Sequence, residues 1–194
     1  MKIHIIGCSG SGKTYVANAL SKKYNISHFD LDDIQWDNNA KGYGKKRTLD
    51  ERKALLQEIL CNNDEWIIEG VYYAWVQHSL DEADKIYVLD MPSYLCKSRI
   101  IMRFIKRKLG IEMGKKETLK SVYDLLKWTE TFQNKNLKEI RSILDRYDNK
   151  VIFLSRKKDV DKIIKAVCQL PIEQNRCAMA CQGCGAAFFF SIIK

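Results

Sequence analysis

Proline is nearly missing from this sequence, two among 194 residues, which excludes a collagenous chain and argues against long disordered stretches. No uncharged apolar run reaches the roughly 18 to 20 residues that a bilayer-spanning helix needs, so no membrane partner is expected. Internal repeats and Pro/Gly/Ser-rich linkers are also missing, and the length suits one domain that can bury a real core. No secretory signal is evident: the apolar start is broken at once by Gly7 and reads as a strand. Together with seven cysteines, an odd number, this points to a reducing cytoplasm. Acidic charge is in deficit, 24 Asp and Glu against 33 Lys and Arg, for a net +9. Such a balance favours anionic partners without separating nucleotides, nucleic acid and lipid surfaces.

Five short apolar runs have the length and composition of strands, at 2–6, 26–31, 66–69, 85–90 and 150–155. Helical spacing fills the intervals at 13–24, 48–61, 93–109, 117–147 (read as two helices) and 159–168. The second of these opens on a Thr48…Glu51 capping box and carries Leu55, Leu56, Ile59 and Leu60 on one face. Strands that alternate with helices predict a three-layer α/β fold, its parallel sheet covered on both faces. The composition shifts only after about residue 170, which divides a domain at 1–170 from a cysteine-rich tail at 171–194.

The first strand runs into Gly7-Cys8-Ser9-Gly10-Ser11-Gly12-Lys13-Thr14 and then a helical segment. This is G-x-x-x-x-G-K-T in the strand–loop–helix setting that gives the motif its meaning. Glycines let the backbone curl so that successive N–H groups face phosphate oxygens, and the helix N-terminus adds its positive end. Lys13 is expected on the β- and γ-phosphates and the Thr14 hydroxyl on Mg²⁺. Within the loop, the dipoles and Lys13 are expected to favour the Cys8 thiolate. Asp30 and Asp32 stand two apart at the end of the second strand, at the sheet edge where such folds bind ligands. The alternative for Asp32 is a helix cap with Gln35 as its partner, while Asp33 faces solvent. Glu69 ends an apolar strand, so its charge must emerge at the edge or be paired.

These landmarks, with Trp36, Trp66 to Tyr72, Ala83 to Pro92, Arg99…Arg103 and Trp128, resemble the adenylate-kinase-like P-loop kinases. The likeness covers about residues 1–165 and is greatest to bacterial DNA topology modulation (FlaR-like) proteins. It implies a five-stranded sheet of order 2-3-1-4-5 with a short helical lid at about 104–125. It also implies an ATP-dependent transfer of the γ-phosphoryl group to a small nucleotide or hydroxyl compound. In that scheme Asp30 and Glu69 hold Mg²⁺ through water, and Asp32 orients or deprotonates the acceptor. Arg99 and Arg103 clamp the nucleotide, and the loop at Arg156 packs around adenine. The family pattern Glu-Gly-Asn-Tyr reads Glu69-Gly70-Val71-Tyr72 here, which removes one acceptor contact. A nucleotide-binding regulator of DNA topology and an NTPase without acceptor are the alternatives, so DNA stands as a second candidate partner.

Arg99, Arg103 and Arg107 recur at i, i+4 and i+8 in a stretch with no acidic residue, which makes one stripe. Leu95, Ile101, Phe104, Ile105 and Leu109 are expected to pack beneath it. A solvated face and a nucleic-acid surface are the other readings of such a charge run. Tyr72, Tyr73 and Trp75 are candidates to stack on a planar substrate, or plain packing. In the tail, Cys177, Cys181 and Cys184 with Cys168 lack a common ligand spacing, and no metal is expected there.

Overall fold

The computed structural model describes residues 1–37, 45–112 and 118–166. At its centre runs β1 (Lys2–Gly7), buried at every position after Lys2, as the middle strand of a sheet covered on both faces must be. The chain continues through α1 (Lys13–Tyr24), β2 (His28–Asp30), α2 (Leu31–Gln35), β3 (Trp36–Asp37) and β4 (Lys45–Lys46). Next come α3 (Leu49–Asn62), β5 (Trp66–Gly70), α4 (Gln77–Glu82), β6 (Lys85–Leu89) and α5 (Ser93–Lys108). A long helix with a π-helical turn in its middle follows: α6 (Leu119–Thr131), the π-helical turn (Phe132–Asn136) and α7 (Leu137–Leu144), which leads into a 3-10 turn (Asp145–Lys150). Strand β7 (Val151–Leu154) and α8 (Lys157–Ala166) complete it.

The sheet order is β2-β5-β1-β6-β7, all parallel, which is the expected 2-3-1-4-5. Its register aligns the carboxyl ends: Asp30 lies opposite Glu69, and Gly7 opposite Leu89. Trp66 and the isoleucines of β1 and β5 fill the core beneath that edge. The expected capping box closes on α3: Thr48 accepts from the Glu51 amide at 3.3 Å, and Glu51 accepts from the Thr48 amide at 2.7 Å.

Three expectations change. The second strand stops at Asp30, because its carboxylate accepts the Asp32 N–H at 2.8 Å and starts α2. Helices α2 and α4 and the β3–β4 pairing are additions, each too short to show a period. Arg47 ties down α2 and the β3–β4 pair by donating to the carbonyls of Asp33, Ile34 and Trp36. The two helices expected at 117–147 run on as one, because the backbone stays helical through a π-helical turn that buries Phe132. Part of the expected lid, 113–117, and the expected tail with its cysteines lie outside the described residues. Among the described residues no helix is long and apolar enough to cross a membrane.

Candidate phosphate-binding site

The loop between β1 and α1 turns back on itself through two glycines in the left-handed region, Gly10 at φ +76° and Gly12 at φ +102°. A Cβ on Gly10 would come within 2.5 Å of the Cys96 carbonyl oxygen, so side-chain size as well as conformation requires glycine here. The Cys8 carbonyl accepts the Ser11 N–H and Lys13 Nζ, each at 3.2 Å. Lys13 therefore arches over the loop toward the edge of the sheet. No side chain caps the N-terminus of α1, and the buried Ser11 hydroxyl has no hydrogen-bond partner among the described residues. Amides and a hydroxyl in this state form a cradle for an anion.

Glu69 enters this cradle from β5. It is 1 % exposed, and the Thr14 hydroxyl donates to its Oε1 at 2.6 Å. Lys13 Nζ lies 3.8 Å from Oε2, and His28 Nε2 3.7 Å from Oε1. Burial works against the charge, yet His28, Lys13 and Thr14 outweigh it and hold the carboxyl below its ordinary value. Asp30, across the register, is pushed the other way. Burial first and the Glu69 charge second raise it to about 6.

Asp32 is exposed, and its carboxylate accepts the Tyr72 hydroxyl at 2.7 Å. Capping of α2 falls to Asp30, which leaves Asp32 free of that task. Asp33 faces solvent. Tyr72 packs on Trp75 at 5.5 Å between ring centroids, and Tyr73 donates to Glu139 at 2.6 Å. Thr14, Glu69 and Asp30 present hard oxygen donors, the kind that suits Mg²⁺. No cluster of three His, Cys, Asp or Glu side chains stands ready among the described residues, so phosphate oxygens would have to complete such a shell.

The arginine stripe faces inward. Arg99 Nη1 donates to the carbonyls of Gly10 at 3.0 Å and Ser11 at 2.9 Å, bracing the loop from α5. Arg103 is partly buried one turn on, and Arg107 Nε lies 3.8 Å from Glu112. Of the apolar bed expected beneath the stripe, Leu95 and Phe104 are half-buried, whereas Ile101, Ile105 and Leu109 are turned outward, with Ile101 43 % and Leu109 67 % exposed. What α5 buries is Cys96, set against the loop, and Ile100; the helix also packs on α6. Beside Arg99 opens a cavity of about 440 Å³ lined by Gly12, Tyr15, Met91, Lys157 and Asp161 among others. Arg156 is not among the lining residues. Its guanidinium turns to Asp159 at 3.2 Å and its carbonyl accepts the Asp159 and Val160 amides of the first turn of α8, while the next residue, Lys157, lines the cavity.

Cys8 departs from expectation. Its side chain is buried against Cys96, and that contact together with desolvation pushes the thiol up rather than toward thiolate. Sequence reasoning missed the Tyr72–Asp32 contact, the bracing role of Arg99, and Lys157 and Asp161 at the cavity. The helical i, i+4 spacing of the last two was the only available signal.

Comparison with known proteins agrees with this geometry. A family model described as AAA domain matches residues 3–120. The uncharacterised protein YqaC of Bacillus subtilis (strain 168) is 29 % identical over 140 residues, covering 72 % of this chain and 76 % of that protein.

Proposed function

This chain belongs to the AAA domain family of P-loop NTPases, and from that premise we propose that it is an ATP-dependent phosphotransferase acting on a small hydroxyl or nucleotide acceptor. The observation that carries the reading is the convergence of Lys13 and Thr14 on Glu69 of β5, which lies opposite Asp30 at the neighbouring strand end. The loop amides and Lys13 hold the β- and γ-phosphates, and Arg99 keeps the loop closed around them. Thr14, with Glu69 and Asp30 beside it, would hold a Mg²⁺ ion, which would offset phosphate charge. Asp32 orients the acceptor hydroxyl and takes its proton, while the Tyr72 hydroxyl fixes the carboxylate. The cavity beside Arg99 receives the base.

A regulator of DNA topology, as the FlaR-like resemblance and the +9 charge suggest, is the rival. Against it, Arg99 is spent on loop carbonyls, and Lys97 on Glu130 at 2.9 Å. The test is ADP release from ATP across a panel of hydroxyl and phosphate acceptors, with a DNA arm. Release stimulated by one acceptor class supports the proposal. Release independent of every acceptor would reduce the protein to an NTPase, and DNA-stimulated release would favour the regulator.

A further inference from the structure

The phosphate loop and α5 meet through a pair of thiols. Cys8 Sγ donates to Cys96 Sγ at 3.4 Å across 88 residues of sequence. The two are 1 % and 0 % exposed, and the same seam is flanked by Gly10 on the Cys96 carbonyl and Arg99 on the loop carbonyls. We propose that Cys8 and Cys96 are a reversible modification site, at which a hydroperoxide-class oxidant forms a disulfide that displaces the phosphate loop and weakens nucleotide binding. The second half of this statement rests on the nucleotide-binding reading above; the first half does not.

The chemistry divides between the two sulfurs. The hydrogen bond from Cys8, together with the Arg99 and Lys13 charges, holds the Cys96 thiol below its ordinary value against burial, so Cys96 is the attacking sulfur. It attacks a peroxide oxygen, the O–O bond breaks, and the leaving oxygen takes the Cys96 proton and departs as water from hydrogen peroxide, or as an alcohol from an organic hydroperoxide. Cys96 becomes a sulfenic acid. Cys8 then attacks that sulfur; the S–S bond forms, the S–O bond breaks, and water leaves with the Cys8 proton. Two thiols have supplied the two electrons that reduce one peroxide. Thiol reductant reverses the change through exchange.

A disulfide brings sulfurs to about 2.05 Å, so this pair must close by more than an ångström. The part of that closure that side-chain rotation does not supply falls on the backbone, where the Cys8 carbonyl receives both the Ser11 amide and Lys13 Nζ. Both groups belong to the phosphate cradle. Loss of one charge-assisted hydrogen bond to a phosphate costs about tenfold or more in affinity.

The test treats the full chain with hydrogen peroxide, alkylates remaining thiols in denaturant, and maps peptides without reduction. In parallel, a fluorescent ATP analogue with Mg²⁺ reports affinity before oxidation, after it, and after dithiothreitol. The expected result is a linked Cys8–Cys96 peptide pair and an affinity loss of about tenfold or more that dithiothreitol restores. Cys96→Ser, with Cys96→Ala as the second variant, should bind nucleotide normally and lose the peroxide response. Absence of the linked pair from peroxide-treated wild type overturns the proposal, and so does a linked pair with unchanged affinity. Should the reduced chain bind no nucleotide, the phosphotransferase reading fails while the peptide map still decides the modification site.

Discussion

Asp30 is a carboxylate kept where it is costly. Burial and Glu69 raise it to about 6 from an ordinary 3.8, so the folded chain holds a proton that the unfolded chain releases between those values. Stability therefore falls as pH rises from 3.8 to 6, and the full cost is present above pH 6. Asp30→Asn should remove it while keeping the cap on the Asp32 N–H, since Asn caps as well as Asp. The variant is expected to be more stable at pH 7 by roughly 1–3 kcal/mol, with the gain vanishing below about pH 4, and less active. Urea denaturation at three pH values beside an ADP-release assay checks both halves. Lys13→Met addresses the other pole of the site. It should fold, and lose on the order of 10²–10³-fold or more in turnover, because the charge facing the phosphates is gone. Near-normal turnover would sink the phosphate-loop assignment.

Among the elements, α5 decides how the loop is held. Its arginines take distinct tasks along the helix: Arg99 holds two loop carbonyls, whereas Arg107 lies near Glu112 beyond the loop. Arg99→Ala should weaken nucleotide binding about tenfold or more, as loss of a charge-assisted pair of hydrogen bonds implies. Arg99→Lys should recover only part, since an ammonium cannot offer the guanidinium's planar fork. Arg107→Ala should leave ATP affinity nearly unchanged. Calorimetry at two salt concentrations, with a DNA titration alongside, separates this from a nucleic-acid stripe. In the latter case Arg99 and Arg107 would cost similar DNA affinity and flatten its salt dependence. For α3 the capping box sets a purely structural expectation: Thr48→Ala should cost ~1 kcal/mol, read as a melting temperature lower by about 2–4 °C with activity intact.

For the molecule as a whole, acid sensitivity centres on His4 in the middle of the sheet. It is fully buried, with Nδ1 3.0 Å from the Ser79 hydroxyl, and desolvation lowers it to about 3 from 6.5. The unfolded chain takes the proton first, so this contribution is intact above pH 6.5. Below that, stability should drop by about 1.4 kcal/mol per pH unit toward pH 3. His4→Leu should flatten the slope, because Ser79 keeps its bond to the Val76 carbonyl. Unfolding free energies of the two proteins at pH 7, 6 and 5 give the comparison. Equal slopes would move the acid sensitivity elsewhere.

Sequence alone determined the order of strands and helices, the G-x-x-x-x-G-K-T turn and the Thr48 cap, because each is a demand made by neighbours within one or two turns of chain. Periodicity and steric permission at glycine are local properties, and they survive without knowledge of the fold. The two short helices α2 and α4 escaped because five or six residues do not complete a pattern. The site itself was only half legible. Thr14 and Glu69 are 55 residues apart, Tyr72 and Asp32 are 40, and Cys8 and Cys96 are 88. Those pairings follow from the register of parallel strands, which no local pattern encodes. The facing of α5 was decided the same way. Hydrophobic spacing alone would turn Ile101 and Ile105 inward beside Ile100, but this part of the helix borders a phosphate loop whose Gly10 and Ser11 carbonyls take the Arg99 guanidinium, and the two isoleucines stay 43 % exposed.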